Sequence, residues 1–250
     1  MHSPLTILYR DDDLVAVHKP AGLLVHRSSI DTRASHFLLQ TLRDQIGAAV
    51  HPVHRLDKAT SGIVVFALHA QAASRLAEAF RDGAVAKTYV AVVRGWAPGA
   101  VDVDHPLRDI ADRRARRRTL DTREAFTAVR CLARAEFNSP VGRYATARYS
   151  LVTCRPRTGR RHQIRRHMKH LRHPIIGDVN YGDGAHNRFF REALGITRLL
   201  LAASVLRLPH PRTGETIELH APVDASFLDA LAGPEWQALA ADVSSQAVLV

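Results

Sequence analysis

Apolar residues along this chain fall into short runs and into helical spacings of three and four, with polar turns between them. ILYR and LVAVH flank the turn Asp11-Asp12-Asp13, a pattern that predicts a hairpin entering a sheet. Adjacent side chains on a turn rarely converge on one ion, so the three aspartates read as a solvated turn. Residues 33 to 46 carry a helical pattern, and IVVFAL at 63 to 68, short and rich in β-branched residues, predicts a buried strand. HAQAASRLAEAFRDG then predicts a helix with Ala72, Ala73, Leu76 and Phe80 on one face and Gly83 as its stop. KTYVAVVRG, residues 87 to 95, returns to a strand pattern. The pattern weakens between 99 and 123 and resumes with ATARYSLVTCRP. LLLAASVLRL and TIELHA read as paired strands around HPRTGE, and DASFLDALA as a helix with Asp224 at its N-cap. Many strands with few helices between them, and neither an internal repeat nor a low-complexity linker, predict one α+β domain on a mostly antiparallel sheet.

Composition supports a globular chain with an ample core: 250 residues, 46% hydrophobic, with ordinary counts of 14 Gly and 12 Pro. Charge changes the picture more. Thirty-five Lys and Arg against 24 Asp and Glu leave +11, which points to a polyanionic partner and to nucleic acid first. No apolar run approaches the roughly 18 residues of a spanning helix, and the N-terminus lacks the apolar core of a signal peptide, so a cytoplasmic protein is expected; a monomer is expected as well. Cys131 and Cys154 form no CxxC pattern and read as reduced core residues.

Two segments concentrate cations. RRARRR at 113 to 118 places Arg113, Arg114, Arg116, Arg117 and Arg118 in a loop or exposed helix. In RRHQIRRHMKHLRH, Ile164, Met168 and Leu171 have helical spacing, leaving Arg161, Arg165, Lys169 and Arg172 to line another face. That face is either solvated or a phosphate-binding surface. His162, His167, His170 and His173 lie in the same stretch, but no HExxH and no carboxylate accompany them, so no metal is expected. In HRLDKATSG, residues 54 to 62, Asp57 sits between cations just before the predicted buried strand. Alone it would read as a turn residue paired to Arg55 or Lys58.

HRLDKATSG together with AVHKPAGLLVH, KTYVAVVRG, GRRHQIRRHMKHLRHPIIGD and HPRTGE resembles the RluA group of pseudouridine synthases, from about residue 7 to residue 222. The resemblance implies an α+β fold with a cleft along a central antiparallel sheet. It also implies an isomerase that breaks the N-glycosidic bond of a uridine, turns the base and rejoins it through carbon, without metal or cofactor. Many relatives carry an S4-like RNA-binding domain in front. Here the pattern begins so early that residues 1–250 are expected to form a single catalytic domain without one. Asp57 would be the essential carboxylate, acting as nucleophile or base, and Arg165 its basic partner, with Ile164 packed near the cleft. Tyr89 would stack on the target base and assist proton transfer, and Arg55 would hold the nucleotide flipped out of its helix. VHRSSID, TLRDQIG and HMKHLRHPIIGD narrow the resemblance to members acting on transfer RNA, at the acceptor and T-arm junction, position sixty-five, with ribosomal RNA as the alternative. The arginines of RRARRR, with Arg161, Lys169 and Arg172, would contact the RNA backbone. One departure stands out: relatives commonly have His where this chain has Ala202, which puts a supporting contact near the cleft in doubt. A non-catalytic basic RNA-binding protein and a His-dependent metallohydrolase are the competing readings. The first gives no reason for an acid fixed between cations, and the second lacks ligand carboxylates.

Overall fold

The computed structural model describes residues 4–26, 36–110 and 121–238. In chain order the elements are β1 (Ile7–Arg10), β2 (Leu14–Lys19), α1 (Leu38–Ile46), β3 (His51–Pro52), β4 (Ser61–Ala67), α2 (Ala70–Arg81) and β5 (Ala86–Arg94). They continue with β6 (Ala100–Asp104), β7 (Leu107–Arg108), β8 (Thr122–Arg123), β9 (Phe126–Phe137), β10 (Ala147–Pro156), α3 (Gln163–His170) and α4 (Gly184–Leu194). β11 (Leu201–Pro209), β12 (Thr216–His220), α5 (Ala225–Asp229) and β13 (Trp236–Ala238) complete the described chain. One sheet runs in the order β1-β2-β4-β11-β5-β10-β9-β13, with β3, β6 and β12 paired at its sides. Its strands pair antiparallel except β4 with β11, so the architecture is α+β on a mostly antiparallel sheet. The parallel contact requires glycine. Gly62 has φ +110°, and a Cβ there would overlap the carbonyl oxygen of Ala203.

Side-chain alternation along the central strands sorts the core into two faces. Val90 and Val92 of β5 pack with Phe190 of α4 and Phe227 of α5, whereas Ala91 and Val93 pack with Ile164 and Met168 of α3. The second face carries the cleft. Cys131 and Cys154 are free and buried in β9 and β10, and burial pushes the Cys154 thiol up to about 12.

The acidic turn is better partnered than its sequence suggests. Asp11 accepts the backbone N–H groups of Asp13 and Leu14 at 2.8 and 2.9 Å, the Tyr9 hydroxyl at 2.7 Å, and meets His210 at 2.9 Å. Asp13 is buried and pairs with Arg212 at 2.7 Å and His69 at 3.0 Å. The turn therefore ties β1 and β2 to the HPRTGE turn between β11 and β12; Asp12 alone is exposed to solvent as expected, whereas Asp13 is buried. Asp11, Asp13 and His210 place ligand-type atoms within 4.8 Å of one another, but each is already engaged by these hydrogen bonds.

Other elements also differ from expectation, among them the short strands β6, β7, β8 and β13. The helix read over 33 to 46 begins at Leu38: Phe37 is extended at φ −138°, and the first helical N–H groups, of Leu38 and Leu39, donate to the carbonyls of Leu24 and Val25 at 2.8 and 3.0 Å. A tertiary contact caps the start where no side chain does. The alternation of β9 is broken by a register shift between Cys131 and Ala133, so that Val129 and Cys131 pack on the cleft face and Ala135 and Phe137 on the other, which masks the strand in the sequence. α4 also escaped; it starts on Asp183, whose side chain accepts from Ala185 and His186 N–H. Asp224 caps α5 as expected, accepting from Phe227 N–H at 3.1 Å.

Candidate active site

Asp57 lies in the loop between β3 and β4, and that loop is anchored along its length. His54 accepts the Val65 N–H at 2.9 Å and stacks on Phe80 with ring centroids 4.5 Å apart. Burial, with Lys87 adding, drives that imidazole down to about 3, so it stays neutral. Thr60 N–H donates to the Asp57 carbonyl at 3.1 Å and Gly22 N–H to the Lys58 carbonyl at 2.8 Å. Lys19, fully buried, donates to the carbonyls of Pro20, Leu23 and Lys58 at 3.0, 2.8 and 3.1 Å. Burial lowers this ammonium to about 7 against the opposing pull of Asp57. The conformation of the Asp57 loop is thus imposed from three sides before any substrate arrives.

Across the cleft, α3 supplies Arg165, which donates from Nη1 to Asp57 Oδ2 at 3.2 Å. Its other edge makes a bidentate pair with Asp178, Nε to Oδ2 at 2.7 Å and Nη2 to Oδ1 at 2.8 Å. Side-chain exposure falls from 22% at Asp57 to 6% at Arg165 and 1% at Asp178, so the chain of charge runs from the cleft into the core. Burial works to raise the Asp178 carboxyl, but Arg165 and the N–H groups of Tyr181 and Asn180 overcome it and hold the group below the usual carboxylate range. The bidentate pair with Asp178 orients the guanidinium, so that its remaining Nη1 points at the Asp57 carboxylate. The sequence pattern had placed Arg165 on an exposed basic face with Arg161, Lys169 and Arg172. The structure turns it inward instead, because Asp178 supplies a buried partner for it.

His162 immediately precedes α3 in the left-handed region at φ 56°, with Nε2 3.8 Å from Asp57 Oδ1 and Nδ1 3.0 Å from the Tyr181 hydroxyl. Burial lowers its pKa, with Arg165 and Arg161 adding, against the opposing pull of Asp57 and Asp178. Tyr89 stands on the cleft face of β5. Burial, with the charge of Asp57 adding, pushes its phenol far above the usual range, so the hydroxyl keeps its proton.

Asp57, Arg55, Tyr89, Ile164 and Arg165 line one cleft of about 520 Å³. Its described lining contains one acid, Asp57, against Arg55, Arg81, Lys87, Arg157, Arg160 and Arg165. A second cavity of about 290 Å³ shares Asp57 and Arg165 as a wall and takes in Arg161. Lys169 and Arg172 are exposed and line neither cavity; Lys169 lies 5.9 Å from the Tyr181 ring. Arg113, Arg114, Arg116, Arg117 and Arg118 lie outside the described residues. The histidines of the α3 segment diverge: His167 faces Thr127, His170 stacks on His105, and His173 meets the Arg94 carbonyl. Ala202 packs with Val90 and Phe190 on the face opposite the cleft, whereas its neighbour Leu201 lines the cleft. The departure at Ala202 therefore touches the far core and not the site. Sequence reading missed Asp178, Tyr181 and Lys19, and weighed His162 as a metal ligand but not as a residue of this site; Asp178, His162 and Lys19 lie inside quoted blocks, but nothing local shows what they meet.

One carboxylate, hydrogen-bonded to a buried arginine in a cation-lined cleft of about 520 Å³, is an arrangement suited to one unit of a polyanion. The model for RNA pseudouridylate synthase matches residues 13–170, and the chain belongs to that family. It is an RNA pseudouridine synthase. Similar proteins include the tRNA pseudouridine synthase C of Vibrio cholerae, 48% identical over 237 residues, covering 93% of this chain and 97% of that one. That of Salmonella typhimurium is 47% identical over 242 residues, covering 95% and 93%. Among solved structures, human RNA pseudouridylate synthase domain containing 1 superposes with a TM-score of 0.73 at 26% identity, covering 98% of this chain and 94% of that one. Domain containing 4 gives 0.70 at 25%, covering 93% and 94%. No described helix is long and apolar enough to cross a membrane.

Proposed function

We propose that this enzyme isomerises a uridine of transfer RNA at the junction of the acceptor and T arms, position sixty-five, with Asp57 as the reacting carboxylate. The observation that carries this reading is the placement of Asp57: it is the one acid in the described lining of the larger cleft and is hydrogen-bonded to a buried arginine that Asp178 holds by two further hydrogen bonds. Relatives nearly half identical over 93% of the chain bear the name tRNA pseudouridine synthase C, which supports the choice of RNA. Residues 1–250 act in this proposal as a single catalytic domain. Arg55 holds the extruded nucleotide, Tyr89 stacks on its base and Ile164 packs beside it. Arg161, Lys169, Arg172 and the arginines of RRARRR contact the RNA backbone. Carbodiimide mapping of pseudouridine in transfer-RNA transcripts treated with the purified protein should yield one new site, at position sixty-five. Modification of ribosomal RNA alone would overturn the choice of substrate.

The protonated hydroxyl of Tyr89 gives a further expected result. Tyr89→Phe keeps the stacking ring, so RNA affinity should stay within about twofold while the single-turnover rate falls on the order of 10²-fold through loss of a proton donor. A variant that lost mainly affinity would make the hydroxyl a binding group.

A further inference from the structure

Lys87 is a cation that the fold leaves uncompensated. It sits on β5 two residues before Tyr89, so strand alternation sends both side chains to the cleft face about 7 Å apart, a separation on the order of one nucleotide unit. The side chain is half-buried, and burial lowers its pKa with no acid acting in the other direction. Among the described residues it makes no hydrogen bond and no ion pair. Lys19 is the instructive contrast: a more deeply buried ammonium of the same site, but one held by three carbonyls. The other cleft cations have protein contacts or lie in the open. Arg165 pairs with two acids, Arg160 donates to the Glu124 carbonyl at 3.0 Å, Arg157 lies over Phe126, Arg81 approaches Glu78 and Asp82, and Arg55 is exposed. His54, beside Lys87, is held neutral and offers no counter-charge.

We propose that Lys87 binds a backbone phosphate adjacent to the target uridine, in a subsite formed with His54, Phe80 and Arg81. A phosphodiester supplies the missing negative charge, and the ammonium recovers on binding what it lost on burial. Lys87 and Tyr89 then act as a pair on one strand, one taking the phosphate and the other the base, which fixes how far the nucleotide enters before Asp57 reaches it. The inference rests on the RNA substrate proposed above and adds the part of the cleft that holds the strand in register.

Transfer-RNA transcripts carrying a single uncharged methylphosphonate linkage on either side of the target uridine test it, with binding measured separately from turnover. With wild-type protein, one linkage should weaken binding about tenfold. Lys87→Met should show a similar loss on the unmodified transcript, no further loss at that linkage, and a salt dependence shallower by about 0.7 to 0.9 in log-log slope. Lys87→Arg should restore both affinity and sensitivity, and Lys87→Gln serves if the Met variant does not fold. Additive losses, equal proportional losses at every linkage, or a wild-type protein indifferent to both linkages would overturn the phosphate contact. Binding of the transcript without pseudouridine formation would count against the proposed substrate and leave the Lys87 result standing.

Discussion

Asp57→Asn is expected to reduce pseudouridine formation on the order of 10⁴-fold or more, while RNA binding stays within severalfold of wild type. The amide is nearly isosteric with the carboxylate, and its oxygen can still accept from Arg165 Nη1, so the loop keeps its anchors at His54, Thr60 and Lys19. What is lost is the carboxylate that the proposed mechanism uses as nucleophile or base. Folding stability should change by only about 1 to 2 kcal/mol, because Arg165 keeps its bidentate pair with Asp178 and can still donate to the amide oxygen of the variant. Single-turnover pseudouridine formation, read beside RNA affinity and thermal unfolding, checks all three. Readily measurable turnover by this variant would remove Asp57 from the chemistry.

Arg165→Met should damage both stability and rate, and the two losses can be separated. The substitution leaves Asp178, with 1% side-chain exposure, without its cation, and an orphaned buried charge costs about 3 to 5 kcal/mol. It also frees Asp57 from its orienting partner, so the single-turnover rate should fall on the order of 10² to 10³-fold. Pairing the change with Asp178→Asn removes the orphaned charge. The double variant should therefore recover most of the stability and none of the rate. In the wild type the Asp178 pKa is depressed in the folded state, so its contribution is present above the unfolded carboxylate pKa of about 3.9 and is lost as pH falls below it. In Arg165→Met burial dominates and raises that carboxyl, so the stability deficit should shrink as pH is lowered and the group takes a proton. Equal rates for wild type and Arg165→Met would reduce the arginine to a structural cation.

The local chemistry of the chain determined much of this protein. Strand and helix periodicities placed β2, β4, α2, β5, β10, β11 and β12 near their observed positions, because side-chain direction repeats within a few residues whatever the rest of the fold does. Net charge pointed to a polyanion, whereas Asp57 taken alone reads as a turn residue and stands out only through the resemblance of HRLDKATSG and its companion blocks to the RluA group. Tertiary structure alone decided what those residues meet. Asp57 and Arg165 are 108 positions apart, and the Asp178 pair that turns Arg165 inward forms only when the segment after α3 folds back beneath it. Helical spacing could say that Arg165 lay off the Ile164 and Met168 face, but not that a buried carboxylate waited there. The same limit hid the start of α1, set by carbonyls of Leu24 and Val25, and left Ala202 assigned to the wrong side of the sheet. A sequence fixes the direction of side chains relative to their own element; burial, pairing and the loss of solvent around a charge depend on which elements are brought together.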